Sequence, residues 1–175
     1  MQKFSRDSFN ITEAINELMH ESGVIVIENA YNLNDIKEAK DIVNHFADIQ
    51  EQKETHFNAE AVSSDKIKLQ QRIWNLFGKG EVFSKLITND IIFSLMSKVL
   101  GSEFFCGSYC ASRLLPGSIG QELHIDYPYW DFYNSETFPM GLNSSFAQNC
   151  QATIPLDICS EQSGATAYIL SLIHI

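Results

Sequence analysis

Residues 117–130 read Gly-Ser-Ile-Gly-Gln-Glu-Leu-His-Ile-Asp-Tyr-Pro-Tyr-Trp, and His124-x-Asp126 stands at their centre. A β-strand turns residues i and i+2 to the same face, so this imidazole and carboxylate can address one ion. The pair is two-thirds of a 2-His-1-carboxylate facial triad, which holds Fe(II) and leaves coordination positions open. Open positions suit chemistry in which a 2-oxo acid chelates the metal and O2 takes the last site. With five His and nine Asp in 175 residues, a bare His-x-Asp arises by chance in roughly one chain in four. The surroundings add weight. Pro116-Gly117 and Gly120 make a turn just upstream, and residues 104–115, rich in aromatic and small residues, read as the preceding strand. A surface His and Asp after a hairpin turn is the plainer alternative.

Working outward, the chain has the length of one domain and enough apolar sequence for a core: 45% hydrophobic residues against 19% charged. A net charge of −10 argues against a nucleic-acid partner, which needs a basic patch. No apolar run reaches the roughly 20 residues of a membrane span. Met1-Gln-Lys-Phe-Ser-Arg-Asp7 has no apolar segment behind it, so no signal peptide is read and a cytoplasmic location is expected. Cys106, Cys110, Cys150 and Cys159 form no C-x-x-C pair. They read as reduced, mostly buried thiols rather than a zinc site.

Asn10-Ile-Thr-Glu13 resembles a capping box, with Ile15, Leu18 and Met19 on one helical face and Gly23 as the stop. Val24–Ile27 reads as a short buried strand. A second helix opens at Asn32 or Asn34 and carries Ile36, Ala39, Val43 and Phe46 on one side. A short element around Arg72–Phe77 ends at Gly78-Lys-Gly80. Asn89 caps a helix over 91–100, closed by Gly101. Strand-like runs follow at 103–115, 121–126, 147–157 and 165–169. Helices first and strands after is an α+β order.

Several segments occur in one order: Gly23-Val-Ile-Val-Ile-Glu-Asn29, Arg72-Ile-Trp-Asn-Leu76 with Gly78-Lys-Gly-Glu-Val-Phe83, Arg113-Leu-Leu-Pro-Gly117, Gly120-Gln-Glu-Leu-His-Ile-Asp126, and Pro155-Leu-Asp157 followed by Gln162-Ser-Gly-Ala-Thr166. Together they resemble the phytanoyl-CoA dioxygenase family of Fe(II)- and 2-oxoglutarate-dependent oxygenases. The resemblance runs from about residue 10 to 169, and the His-x-Asp and Ser-Gly-Ala-Thr segments are its specific parts. It implies N-terminal helices packed on a double-stranded β-helix, a cupin-like jelly roll. It places His124 and Asp126 on the first two iron ligands. Gln121 falls on a residue that in some members hydrogen-bonds 2-oxoglutarate, Arg72 near a basic position that reaches this cosubstrate, and Thr153 on a strand position facing it. The bland alternatives are a turn amide, a surface helix Arg and an ordinary strand Thr. The carboxylate of Asp126 favours hydroxylation over halogenation, which needs that coordination position for a halide. Fe(II), 2-oxoglutarate and O2 would thus serve oxidation of a small-molecule substrate, with the protein positioning the substrate's C–H bond.

Residues 127–133 hold five aromatics, which read as a substrate wall mixed with loop packing, Tyr129 and Trp130 nearest the substrate. His20, His45, His56 and His174 lack ligand context, and Asp131 reads as a loop-stabilising acid. The family takes a second His from a late strand and soon afterwards an Arg that pairs the far carboxylate of 2-oxoglutarate. Both lie well beyond the Gly-Ala-Thr segment. Here Ala167-Tyr-Ile169 stands where the family continues into Pro-Gly-Ser-His, followed by Leu170-Ser-Leu-Ile-His-Ile175. That hexapeptide resembles the translation of a transposon-end sequencing adapter. The expectation is a partial domain over 1–169, its barrel lacking late strands, with a non-native tail at 170–175. The fragment should bind iron weakly, and activity should belong to its intact parent. Two rivals stand beside this reading: a non-catalytic jelly-roll binding module, and a cupin-type metal enzyme that needs no 2-oxoglutarate.

Overall fold

The computed structural model describes residues 1–51, 69–121, 123–124, 136 and 147–169. Side-chain caps place the three longer helices. Asn10 starts α1 (Ile11–His20): its Oδ1 accepts from the Thr12 and Glu13 amides, and its Nδ2 donates to Glu13 Oε1 at 3.0 Å. Two N–H groups that the helix cannot pair internally are thereby satisfied. Asn32 caps α2 (Leu33–Ile49) through the Asn34 amide at 2.8 Å. A shorter helix, α3 (Glu81–Ile87), follows Gly80. Asn89 then caps α4 (Asp90–Leu100), accepting from the Ile91 and Ile92 amides. Gly101 ends α4 at φ +92°, a left-handed backbone that costs glycine little.

The strands form two pairs. β1 (Gln2–Ser5) runs parallel to β2 (Ile25–Glu28), with Phe4 opposite Ile27 and α1 as the crossover between them. β3 (Gln70–Ile73) runs antiparallel to β4 (Ala111–Leu114), with Gln71 opposite Arg113 and Arg72 opposite Ser112. The described residues are therefore mixed helix and strand, an α+β arrangement.

Two apolar clusters form behind these elements. The larger joins Ala39, Val43 and Ala47 of α2 to Ile73 of β3 and to Val82, Phe83 and Leu86 of α3. Ile154 and Leu156 pack against it from the C-terminal part. The smaller joins Phe4, Ala14 of α1 and Leu95 of α4. Buried Ala30 links the two regions: its carbonyl accepts from Arg6 Nη1 at 2.9 Å and from Asn89 Nδ2 at 2.8 Å.

Several expectations change. Among the described residues, 103–110, 147–157 and 165–169 have no strand pairing. Apolar alternation supplies the side-chain pattern of a strand, but a ladder exists only where a neighbouring backbone takes the N–H and C=O bonds. Half of the 121–126 run, including Ile125 and Asp126, lies outside the described residues. β2 is half-buried rather than buried: among the described residues its one ladder partner is the short β1. The four thiols are all free, but Cys106 and Cys159 are exposed and the other two half-buried. Burial pushes the Cys150 thiol up. No helix among the described residues is long and apolar enough to cross a membrane.

Candidate functional site

The site is built around the β3–β4 pair and the turn that leaves β4. Arg72 sits on β3, a strand rather than a surface helix, and is half-buried. Its Nη1 lies 3.9 Å from Cys110 Sγ, and its guanidinium lies 5.6 Å from the Trp74 ring centroid. A guanidinium over an indole face is held by the ring quadrupole, so Arg72 is oriented along the outer end of β3.

The neighbouring position is braced from the helix layer. Arg113 Nε donates to Gln71 Oε1 at 2.7 Å, Nη2 to Asp48 Oδ1 at 2.6 Å, and Nη1 reaches the carbonyl and Oδ1 of Asn44 at 3.5 and 3.4 Å. One planar cation therefore fastens α2 to both strands. Gln71 is buried, and it needs such a donor because an unmet amide carbonyl in the interior is costly.

The turn after β4 is equally well defined. The Leu115 amide donates to Leu69 O at 2.8 Å, and the Ser118 amide donates to Leu115 O at 3.0 Å. Ser118 Oγ lies 2.8 Å from Leu69 O and 2.7 Å from Leu115 O. Gly117 has φ +92°, and a Cβ there would stand 3.4 Å from Leu69 Cδ1. Gln121 and His124 follow this turn, and both are exposed.

The C-terminal part approaches the same strands. Lys40 Nζ pairs with Asp157 Oδ2 at 2.7 Å. Gly164, at φ +80°, lies so close to β4 that a Cβ would stand 2.9 Å from Leu114 Cδ1. It closes a 3-10 turn at Glu161–Ser163 in which Ser160 and Ser163 cap each other. The Ser-Gly-Ala-Thr segment is thus a turn pressed on β4. Thr153 is exposed and lies outside any strand, which corrects its expected strand position, while its neighbour Ile154 faces the larger core.

Of the expected ligands and contacts, Arg72, Gln121, His124 and Thr153 are described, whereas Asp126, Tyr129 and Trp130 lie outside the described residues. Among the described residues, no three His, Cys, Asp or Glu side chains converge as a metal group. Sequence reasoning missed Arg113 and Ser118 as organisers of this region. Arg113 had a signal, a charged residue within an otherwise apolar run. Ser118 had none beyond ordinary turn composition. No protein-family model matches the chain, and no curated protein matches it.

Proposed function

We propose that residues 1–169 are the first part of an Fe(II)- and 2-oxoglutarate-dependent oxygenase domain of the phytanoyl-CoA dioxygenase type, acting as a hydroxylase on a small organic or lipid-like substrate. The observation that carries the reading is the order Arg113-Leu-Leu-Pro-Gly117, Gln121, His124-x-Asp126 in the sequence. The anchoring of that turn to the base of β3, the strand of Arg72, supports it. On this reading the late strands complete a jelly roll and bring the second His and the distal Arg.

His124 would supply an imidazole nitrogen and Asp126 an anionic oxygen, a donor set that suits borderline Fe(II). Bound iron with 2-oxoglutarate and O2 would supply the oxidising chemistry. The chain's own part is to hold and orient. Gln121 donates an amide N–H to the cosubstrate, and Arg72 contributes positive charge toward its carboxylates. Tyr129 and Trp130 wall the substrate side.

The test is succinate formation by the longer product of the source gene, loaded anaerobically with Fe(II) and then given 2-oxoglutarate and O2. Succinate above the metal-free control, abolished in His124→Ala and in Asp126→Ala, is expected. No succinate across a broad substrate panel would sink the reading and leave the jelly-roll binding module in its place.

A further inference from the structure

The turn leaving β4 is tied down more firmly than its composition requires. Leu69, the residue just before β3, offers one carbonyl to two donors, the Leu115 amide and the Ser118 hydroxyl, each at 2.8 Å. The same hydroxyl lies 2.7 Å from Leu115 O. A serine hydroxyl has one proton, so it bridges two carbonyls and cannot saturate both. Ser118 is half-buried, which shields the bridge from exchange with solvent. Gly117 permits it: φ +92° is a left-handed backbone that glycine adopts at little cost, and it turns the chain back so that Ser118 reaches the strand end.

The position of the bridge matters. Arg72 stands three residues after Leu69 on β3. Gln121 and His124 stand three and six residues after Ser118. The backbone ladder of β3 and β4 ends at Gln70↔Leu114. Beyond it, the Leu115 amide still bonds the Leu69 carbonyl, and Ser118 adds a side-chain bond to the same oxygen.

We propose that Ser118 is a positioning residue, whose hydroxyl latches the start of the loop bearing Gln121 and His124 to the base of β3 and so sets their reach toward Arg72. The latch stands on geometry. Its consequence for cosubstrate binding rests on the oxygenase reading above.

Amide hydrogen exchange on the 175-residue chain tests the latch directly. Ser118→Ala should speed exchange of the Leu115 and Ser118 amides by about threefold to tenfold, the loss of one ordinary hydrogen bond. Ser118→Thr, which keeps the hydroxyl, should restore slow exchange. Amides in α2 should not respond in either variant. If the alanine chain does not fold, Ser118→Cys, with a weaker donor of similar size, reads the same amides. Unchanged exchange at Leu115 and Ser118, or threonine as fast as alanine, overturns the latch. In the longer enzyme, Ser118→Ala should raise the KM for 2-oxoglutarate several-fold with little change in kcat. An equal loss in kcat alone would contradict a positioning role. Failure of the oxygenase reading shows itself differently: no variant, the unmutated protein included, forms succinate, while the exchange result stands.

Discussion

Replacing Arg113 with methionine keeps most of the aliphatic stem and removes the guanidinium that fastens α2 to the β3–β4 pair. The main loss is on Gln71, whose buried Oε1 would lose its 2.7 Å donor. Leaving a buried acceptor unmet costs about 1–3 kcal/mol. The Asp48 pair adds little. Its carboxylate is 65% exposed, and solvent-screened pairs are worth about 0–1 kcal/mol. The two Asn44 contacts, at 3.4 and 3.5 Å, are long and weaker still. Arg113→Met should therefore destabilise the chain by about 2 kcal/mol, a fall of about 1 M in the urea midpoint at a typical slope. Asp48→Asn should cost under about 1 kcal/mol. Arg113→Met with Gln71→Leu should recover most of the loss, because removing both polar partners leaves nothing unmet. Urea unfolding followed by circular dichroism, with slopes compared across variants, measures all three. If Asp48→Asn costs as much as Arg113→Met, or the double variant is no better than the single, then the buried amide is not what Arg113 stabilises.

Three further outcomes are expected. Asn89→Ala removes the cap of α4 and the tie to the Ala30 carbonyl, and should lower stability by about 1–2 kcal/mol in urea unfolding, with Asn89→Asp intermediate because it keeps the cap alone. Gly164→Ala meets Leu114 Cδ1 at 2.9 Å and a φ of +80°, so it should cost about 1–3 kcal/mol, and adding Leu114→Ala should relieve the contact but not the backbone strain. Burial pushes the Tyr31 and Tyr109 phenols up to about 12. The folded chain then holds these protons more tightly than the unfolded one, whose phenols ionise near about 10. Their contribution is intact below that pH and lost as pH rises through about 12. Ultraviolet titration should show Tyr31 and Tyr109 ionising late, together with alkaline unfolding. All six tyrosines ionising together in a folded chain would contradict the burial of these two.

The three longer helices, α1, α2 and α4, were legible because their signals are local. Asn10, Asn32 and Asn89 cap through bonds to residues two or three further on, and Gly101 ends α4 through its own backbone freedom. The α2 face is equally local: Ala39 and Val43 recur at the helical period, are buried, and have Ile36 and Phe46 packed beside them. What was missed depends on partners far along the chain. β1 reads as polar sequence, with Phe4 its only apolar residue, and is a strand because β2 accepts its backbone. α3 begins at Gly80, which offers no side-chain cap, so nothing announces it. Residues 147–157 carry an apolar pattern, yet Ile154 and Leu156 use it to pack on the core and not to join a sheet. In the candidate site, residue types pointed to His124, Gln121 and Arg72. The contacts around them come from Leu69, Ser118 and Arg113, whose roles arise from distances in space.

The parallel pairing of β1 with β2 turns the first five residues into a boundary condition. Phe4 is one of three buried members of the smaller core, and the Met1 ammonium sits 3.5 Å from Glu17 Oε1 on α1. A chain cut to begin at Phe9 would strip β2 of its ladder partner, leave Ala14 and Leu95 facing a void, and deprive the Ala30 carbonyl of its Arg6 donor. A fusion placed ahead of Met1 would convert that ammonium to an amide and remove its charge from beside Glu17, which keeps the Ser22 hydroxyl as a close partner. Trimming guided by polarity alone would discard the strand that closes this end of the protein, and a tag for purification belongs elsewhere.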